Sequence, residues 1–200
     1  MSREKRLFRI LLWLGLLSVV VAAGALYMIS RQKDVRHELP VLGAVPSFTF
    51  SECRGGEVTD QNLQGKITVL DFIFTRCKSA CPVMSGKMLQ LYNLFRSSDR
   101  VQLISISVDP DYDTPEVLQR YAEKLGVTDL RWLFLRGPIE DVKRLSEDGF
   151  KLSGEFPGMH STKLILIDER GRIRGYYDPY DNISMHKLKT HIRQLLAQMP

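Results

Sequence analysis

Two hydrophobic patterns divide the chain. Residues 10–29 form an apolar run of twenty positions without a charged side chain. From residue 67 onward, short β-branched and aromatic runs alternate with segments whose apolar residues recur at helical spacing. The pattern therefore predicts one long apolar helix followed by a globular α/β domain.

The globular region predicts the element order β-α-β-α-β-α-β-β-α. The predicted strands cover residues 67–74, 101–108, 130–135, 163–168 and 172–177, and the predicted helices cover residues 82–97, 115–125, 138–147 and 184–199. Asp113 or Thr114 is expected to cap the second of these helices. Such alternation is typical of helices layered on a largely parallel sheet, with a hairpin joining the last two strands.

The apolar run is long enough for a transmembrane anchor, since twenty residues at ~1.5 Å each span a ~30 Å hydrocarbon core. Four basic residues precede it and three follow it, which favours a cytoplasmic segment at residues 1–9 and an exported domain. Ala23, Gly24 and Ala25 resemble a signal-peptidase site, so a cleaved signal peptide is the alternative. Either way, the domain is exported.

Residues 30–46 contain two prolines and no sustained periodicity, and we predict a tether there, followed by one domain over residues 47–200. The chain has 200 residues and a net charge of +5, all of which arises in residues 1–36. The remainder is formally neutral and lacks the basic surface that nucleic-acid binding requires. We therefore expect no nucleic-acid partner, and we expect residues 10–29 to contact a lipid bilayer.

Two of the three cysteines, Cys77 and Cys81, form a C-x-x-x-C motif where the first predicted strand meets its helix. Ligands of open α/β sheets bind at the carboxyl ends of strands, and a helix N-terminus favours the thiolate. The motif indicates a reactive or metal-binding pair, with a structural disulfide as the alternative. Cys53 lies in a predicted turn and is interpreted as a bystander, with the resolution of an oxidised Cys77 or Cys81 as the alternative.

Three motifs together resemble the Sco/SenC family of membrane-tethered copper metallochaperones. They are FTRCKSACP at residues 74–82, SISVDP at residues 105–110, and MHST at residues 159–162 leading into KLILID. The resemblance implies a thioredoxin-like fold with a central mixed sheet flanked by helices. It also implies copper binding by Cys77, Cys81 and His160. Met159 stands where many relatives carry Asp.

Two thiolates and one imidazole suit Cu(I), and they hold Cu(II) when another ligand is added. Zinc is the main metallic rival, because a site with three protein ligands and water is also compatible with this donor set. His37 lies in the predicted tether, and His186 and His191 lie on or near the final helix, where solvent exposure is expected. Asp109 is predicted to cap the turn into the next helix, with orientation of a ligand as the alternative.

The resemblance implies delivery of copper to the copper centre of cytochrome c oxidase, with its copper-bearing subunit or another copper protein as partner. We therefore predict a metallochaperone rather than a conventional enzyme, in the cell (inner) membrane with its domain on the periplasmic side. The alternative is a membrane-anchored thiol-disulfide oxidoreductase that reduces partner cysteines. The sequence leaves both open, because metal capture and disulfide exchange need the same thiolate.

Overall fold

The structure, a computed structural model, describes residues 3–33, 38–152 and 161–199, and it divides the chain into two units at Glu38 and Leu39. The first unit contains helix α1 (Arg3–Lys33). Its segment Phe8–Met28 has 21 residues with a mean hydropathy of 2.3, and none of its apolar surface is buried. This helix is therefore long and apolar enough to cross a membrane. It continues into the predicted tether as far as Lys33.

The second unit is a sheet of eight described strands with helices on its faces. The strands are β1 (Gly43–Ala44), β2 (Thr49–Glu52), β3 (Glu57–Thr59), β4 (Ile67–Ile73), β5 (Val101–Ser107), β6 (Trp132–Arg136), β7 (Leu164–Ile167) and β8 (Arg172–Tyr177). The helices are α2 (Ala80–Leu94), α3 (Pro115–Lys124), α4 (Ile139–Arg144) and α5 (Asn182–Gln198), with a 3₁₀ turn at Asp60–Leu63 and a π-helix at Leu145–Gly149.

The strand order is β1-β8-β7-β4-β5-β6-β2-β3. Only β4, β5 and β6 pair in parallel, and the other described pairings are antiparallel. The expectation of a largely parallel sheet is therefore wrong outside the centre, and the sheet is mixed. The physical reason is that β7 and β8 form a hairpin, which adds antiparallel strands, and that β1, β2 and β3 come from a segment with no predicted strands.

Strand β4 lies at the centre of the sheet, and every one of its residues is buried. Val69 and Ile73 face one hydrophobic cluster, which α2 and α5 cover, while Leu70 and Phe72 face a second cluster on the other side of the sheet. Burial on both faces explains why this strand reads as a continuous apolar run rather than an alternating one. The carboxyl end of β4 is where the cysteine motif begins.

The N-terminal edge of the domain starts inside the range predicted as a tether. Gly43 and Ala44 pair with β8, and Leu39 is 8% exposed. Arg174, which is 3% exposed, donates to Asp168 and to the main-chain oxygens of Leu39 and Pro40. The segment is thus held by a buried arginine that lies more than 130 positions further along the chain, which no local pattern reveals.

Candidate copper and thiol site

The two cysteines of the motif lie together at the carboxyl end of β4. Cys77 is in the loop that follows the strand, Cys81 is in the first turn of α2, and both are free thiols. Cys53 follows β2, which is separated from β4 by β5 and β6. The structure therefore brings Cys77 and Cys81 together and has Cys53 directly after a different strand of the sheet, while the bystander role of Cys53 stays a prediction.

Cys77 is the more acidic thiol. Partial burial raises the pKa of Cys77, but hydrogen bonds from the backbone N–H groups of Cys81 and Ser79 lower it by a larger amount. The resulting pKa is about 7, below the ordinary value of a cysteine. The Cys81 N–H lies 3.5 Å from the Cys77 sulfur, and the Ser79 hydroxyl lies 3.6 Å from it. These contacts place N–H dipoles of the first turn of α2 at the sulfur, which favours the thiolate. At neutral pH a large fraction of Cys77 is nucleophilic thiolate.

Cys81 has the opposite environment. It is 1% exposed, and burial raises its pKa to about 12, with the neighbouring Cys77 thiol adding to the rise and a backbone bond to Phe74 opposing it. A buried protonated thiol is a poor nucleophile until its proton is removed. The sequence leaves open which cysteine is the more reactive, and the structure assigns that role to Cys77.

Two carboxylates from the loop between β5 and α3 hold the residues just before Cys77. Asp113 accepts hydrogen bonds from both the N–H and the hydroxyl of Thr75, and Asp109 forms an ion pair of 2.6 Å with Arg76. Asp109 therefore contacts the cysteine loop instead of capping the next helix as predicted. Thr114 provides the cap of α3, which confirms one of the two predicted positions.

A third carboxylate, Asp71, lies in the middle of β4 and is fully buried. One oxygen accepts from the Ser105 hydroxyl at 2.6 Å, and the other has no hydrogen-bond partner among the described residues. Burial raises the pKa of Asp71 to about 7, although the Ser105 bond lowers it. Sequence reasoning missed this residue, although an acidic residue inside an otherwise apolar strand is a usable signal.

His160 and Met159 lie outside the described residues, which resume at Ser161. The strand that follows, β7, pairs antiparallel with β4, with Leu70 opposite Ile165. Because the two strands are antiparallel, the first residue of β7, Leu164, lies towards the carboxyl end of β4. In the described parts of the chain no three His, Cys, Asp or Glu side chains form a group that could hold a metal ion.

The other described histidines have local explanations. His186 is exposed on α5, while Nδ1 of His191 lies 2.6 Å from the hydroxyl of Tyr177. Burial lowers the pKa of His191, with Lys187 adding to the effect. Both lie on the final helix, as predicted, and His191 is half-buried rather than solvated. His37 lies outside the described residues.

Comparison with known proteins identifies the family. A family model described as SCO1/SenC matches residues 43–197, which is most of the chain and includes all three motifs. The chain belongs to the SCO1/SenC family. A SCO1 protein homolog from Bacillus subtilis (strain 168) is 30% identical over 156 residues, covering 72% of this chain and 81% of that relative.

Solved structures of Sco proteins share the fold. BsSco, described as a member of the Sco family of cytochrome c oxidase assembly proteins with a disulfide switch, matches with a TM-score of 0.72 at 26% identity, covering 80% of this chain and 98% of BsSco. Yeast Sco1 with copper bound matches with a TM-score of 0.60 at 26% identity, covering 77% and 90%. These likenesses confirm the thioredoxin-like fold. Of these two structures, yeast Sco1 holds copper and BsSco is described with a disulfide switch.

Proposed function

We propose that this protein is a membrane-anchored copper metallochaperone that binds copper through Cys77, Cys81 and His160 and takes part in assembling the copper centre of cytochrome c oxidase. The observation that carries the proposal is the pair of thiols at the carboxyl end of β4, one of them with a pKa of about 7. Copper in yeast Sco1 and the oxidase-assembly role of the Sco family support it.

The donor set fits copper as cargo. Two sulfurs form a soft pair suited to Cu(I), and Cys77 offers its sulfur as thiolate at neutral pH without prior help from the metal. His160 is the residue directly before Ser161 in the sequence, where the described part of the chain resumes. The imidazole nitrogen of His160 would allow the site to bind Cu(II) as well as Cu(I), because Cu(II) prefers nitrogen donors.

The length and composition of helix α1 support the proposal that this chemistry takes place at a membrane. Residues 10–29 of helix α1 carry no charged side chain, and four basic residues precede this run while three follow it. By the positive-inside rule the domain lies on the exported side of the cell (inner) membrane. The recipient in this proposal is the copper-bearing subunit of the oxidase or another copper protein on that side.

A thiol-disulfide oxidoreductase is the second candidate, and the inequality of the two thiols favours it. A partly exposed thiolate beside a buried protonated thiol is the arrangement in which one sulfur attacks a partner disulfide and the other resolves the mixed disulfide. The disulfide switch of BsSco shows that a relative forms such a bond. Copper binding requires the dithiol state, so both activities use the same reduced form.

An anaerobic Cu(I) titration of the reduced full chain in detergent tests the proposal. One Cu(I) per chain is expected to bind tightly. Cys77→Ser and Cys81→Ser should each remove tight binding, because each deletes one of only two soft donors in the proposed site. Cys53→Ser is the matched control and should bind like the parent. Equal loss in Cys53→Ser would contradict the ligand assignment and indicate a site of three thiolates.

A further inference from the structure

We propose that Asp113 is a positioning residue for the C-x-x-x-C loop: its buried carboxylate fixes Thr75 and thereby sets where the Cys77 sulfur lies relative to the first turn of α2. The inference rests on Cys77 and Cys81 being the functional pair, and it holds for copper binding and disulfide exchange alike.

The Asp113 carboxylate joins two loops. It is fully buried and accepts from the N–H of Thr75 at 3.2 Å, from the Thr75 hydroxyl, and from the Ser107 hydroxyl at 2.6 Å. Thr75 follows the end of β4, and Ser107 is the last residue of β5. Because donors from both segments converge on this one buried carboxyl group, it ties the start of the cysteine loop to the neighbouring strand.

The contact between Asp113 and Thr75 lies just beyond the last backbone hydrogen bond between β4 and β5. The last described backbone bond between these two segments runs from the Val108 N–H to the Ile73 oxygen at 2.8 Å. Two residues later Thr75 is held by Asp113, and two residues after that comes Cys77. The Cys77 N–H closes a turn onto the Phe74 oxygen at 3.2 Å, so moving residue 75 displaces Cys77 as well.

Helix capping does not explain the Asp113 side chain. Thr114 caps α3, since its hydroxyl accepts from the Val117 N–H at 3.4 Å. In the part of the chain that the structure describes, the Asp113 carboxylate accepts hydrogen bonds from Thr75 and Ser107 alone. The Asp113 side chain does not cap a helix, but it does accept hydrogen bonds from the cysteine loop. We therefore explain its burial by its role in holding that loop.

The neighbouring ion pair is the weaker tie. Asp109 holds Arg76 at 2.6 Å, but the Arg76 side chain is 54% exposed, and exposed ion pairs contribute little because water screens them. Arg76 also lies 4.9 Å above the ring of Tyr112, which is itself half exposed. The buried contacts of Asp113 are the ones that water does not replace.

The test compares three variants of the metal-free, reduced full chain in detergent. Asp113→Asn keeps the shape but brings an amide NH₂ group to a place where only donors point. Thr75→Val removes the hydroxyl and keeps the backbone N–H. Thr114→Ala is the matched control, because it removes the α3 cap one residue away without touching the cysteine loop. Two quantities are measured: the rate of Cys77 alkylation by iodoacetamide at pH 7, and the dithiol–disulfide equilibrium with dithiothreitol.

We expect Asp113→Asn to slow Cys77 alkylation at least threefold and to shift the equilibrium at least threefold toward the disulfide, because a displaced sulfur loses the Cys81 N–H that stabilises its thiolate. Thr75→Val should change both in the same direction by a smaller factor. Thr114→Ala should leave both within error although its melting temperature falls. If Asp113→Asn does not fold, Thr75→Val decides.

Parent-like values in the decisive variant, or an equal change in Thr114→Ala, would overturn the proposal, since the effect would then be absent or merely a loss of stability. Both measurements are made without copper. A failed Cu(I) titration and a failed positioning role are therefore distinguishable results.

Discussion

At the scale of single residues, the motif contains two chemically identical thiols that the fold makes different. Cys77 has a pKa of about 7 and Cys81 a pKa of about 12. The difference arises because one sulfur receives N–H groups at the helix start and the other is enclosed by the core. Residue type and spacing alone assign the same chemistry to both, so this difference is not readable from the sequence.

Asp71 makes a prediction about stability and pH. Its pKa of about 7 in the folded protein exceeds its ordinary value of ~3.9, so the folded state keeps a proton that the unfolded state has lost. Protonated Asp71 therefore stabilises the folded state below about pH 4. As the pH rises to about 7 this stabilisation is lost, and the free energy of unfolding falls by up to ~4 kcal/mol.

The Asp71→Asn variant should lack this loss because an amide does not ionise. Urea unfolding of the reduced parent and variant at pH 4.5, 6 and 8 measures it, with the free energy of unfolding of the parent falling relative to that of Asp71→Asn as pH rises. Ser105→Ala serves as a control, since it removes the hydroxyl bond and keeps the ionisable group. A parent–variant difference that is constant with pH would contradict the burial argument.

At the scale of elements, strongly patterned segments are predictable and short ones are not. The prediction for β4 was residues 67–74 and the structure has Ile67–Ile73, while the predicted hairpin at residues 163–177 is present as β7 and β8. By contrast, β1 has two residues, β3 has three, and both lie in segments without a repeating pattern. Their pairing depends on partners far away in the sequence.

The end of the helix predicted over residues 138–147 also differs from the prediction. The structure has α4 at Ile139–Arg144, followed by a π-helix at Leu145–Gly149. The spacing of apolar residues predicts a helix whether its backbone is α-helical or π-helical. The change from the α-helical to the π-helical hydrogen-bond pattern depends on local backbone geometry. Such a switch leaves no mark in the order of apolar and polar residues.

The N-terminal edge makes a prediction of its own. A fragment starting at Ser47, the domain boundary expected from the sequence, lacks β1, the buried Leu39 and two main-chain acceptors of Arg174. Burial of one leucine side chain and two hydrogen bonds to a buried charge together contribute about 5 kcal/mol. Guanidinium unfolding should show the Ser47 fragment less stable than a fragment starting at Glu38 by roughly that amount.

A fragment starting at Arg31 is the control and should match the Glu38 fragment, because residues 31–37 precede the unit that begins at Leu39. Equal stability of the Ser47 and Glu38 fragments would mean that the edge strand and the Arg174 contacts contribute nothing to folding. The tether would then extend to the boundary expected from the sequence.

At the scale of the whole molecule, the sequence was most informative about organisation and least informative about the metal site. One apolar helix of sufficient length and one SCO1/SenC domain were both predictable, since each depends on a long pattern or on several motifs together. The candidate copper site combines two residues at the end of β4 with a histidine 79 positions beyond Cys81, and only the family resemblance connected them.

The central claim, that this protein carries copper rather than only reducing thiols, depends on His160, the proposed ligand that disulfide exchange does not use. The most direct measurement is cytochrome c oxidase activity in membranes of cells whose own copy is replaced by His160→Ala, Cys77→Ser or the control His186→Ala, which changes an exposed histidine of α5. The account predicts that His160→Ala and Cys77→Ser both abolish the activity, that His186→Ala preserves it, and that Cys77 and Cys81 in His160→Ala still cycle between dithiol and disulfide. Normal oxidase activity in His160→Ala cells, together with its loss in Cys77→Ser cells, would contradict the metal-carrier function and favour the thiol reductase.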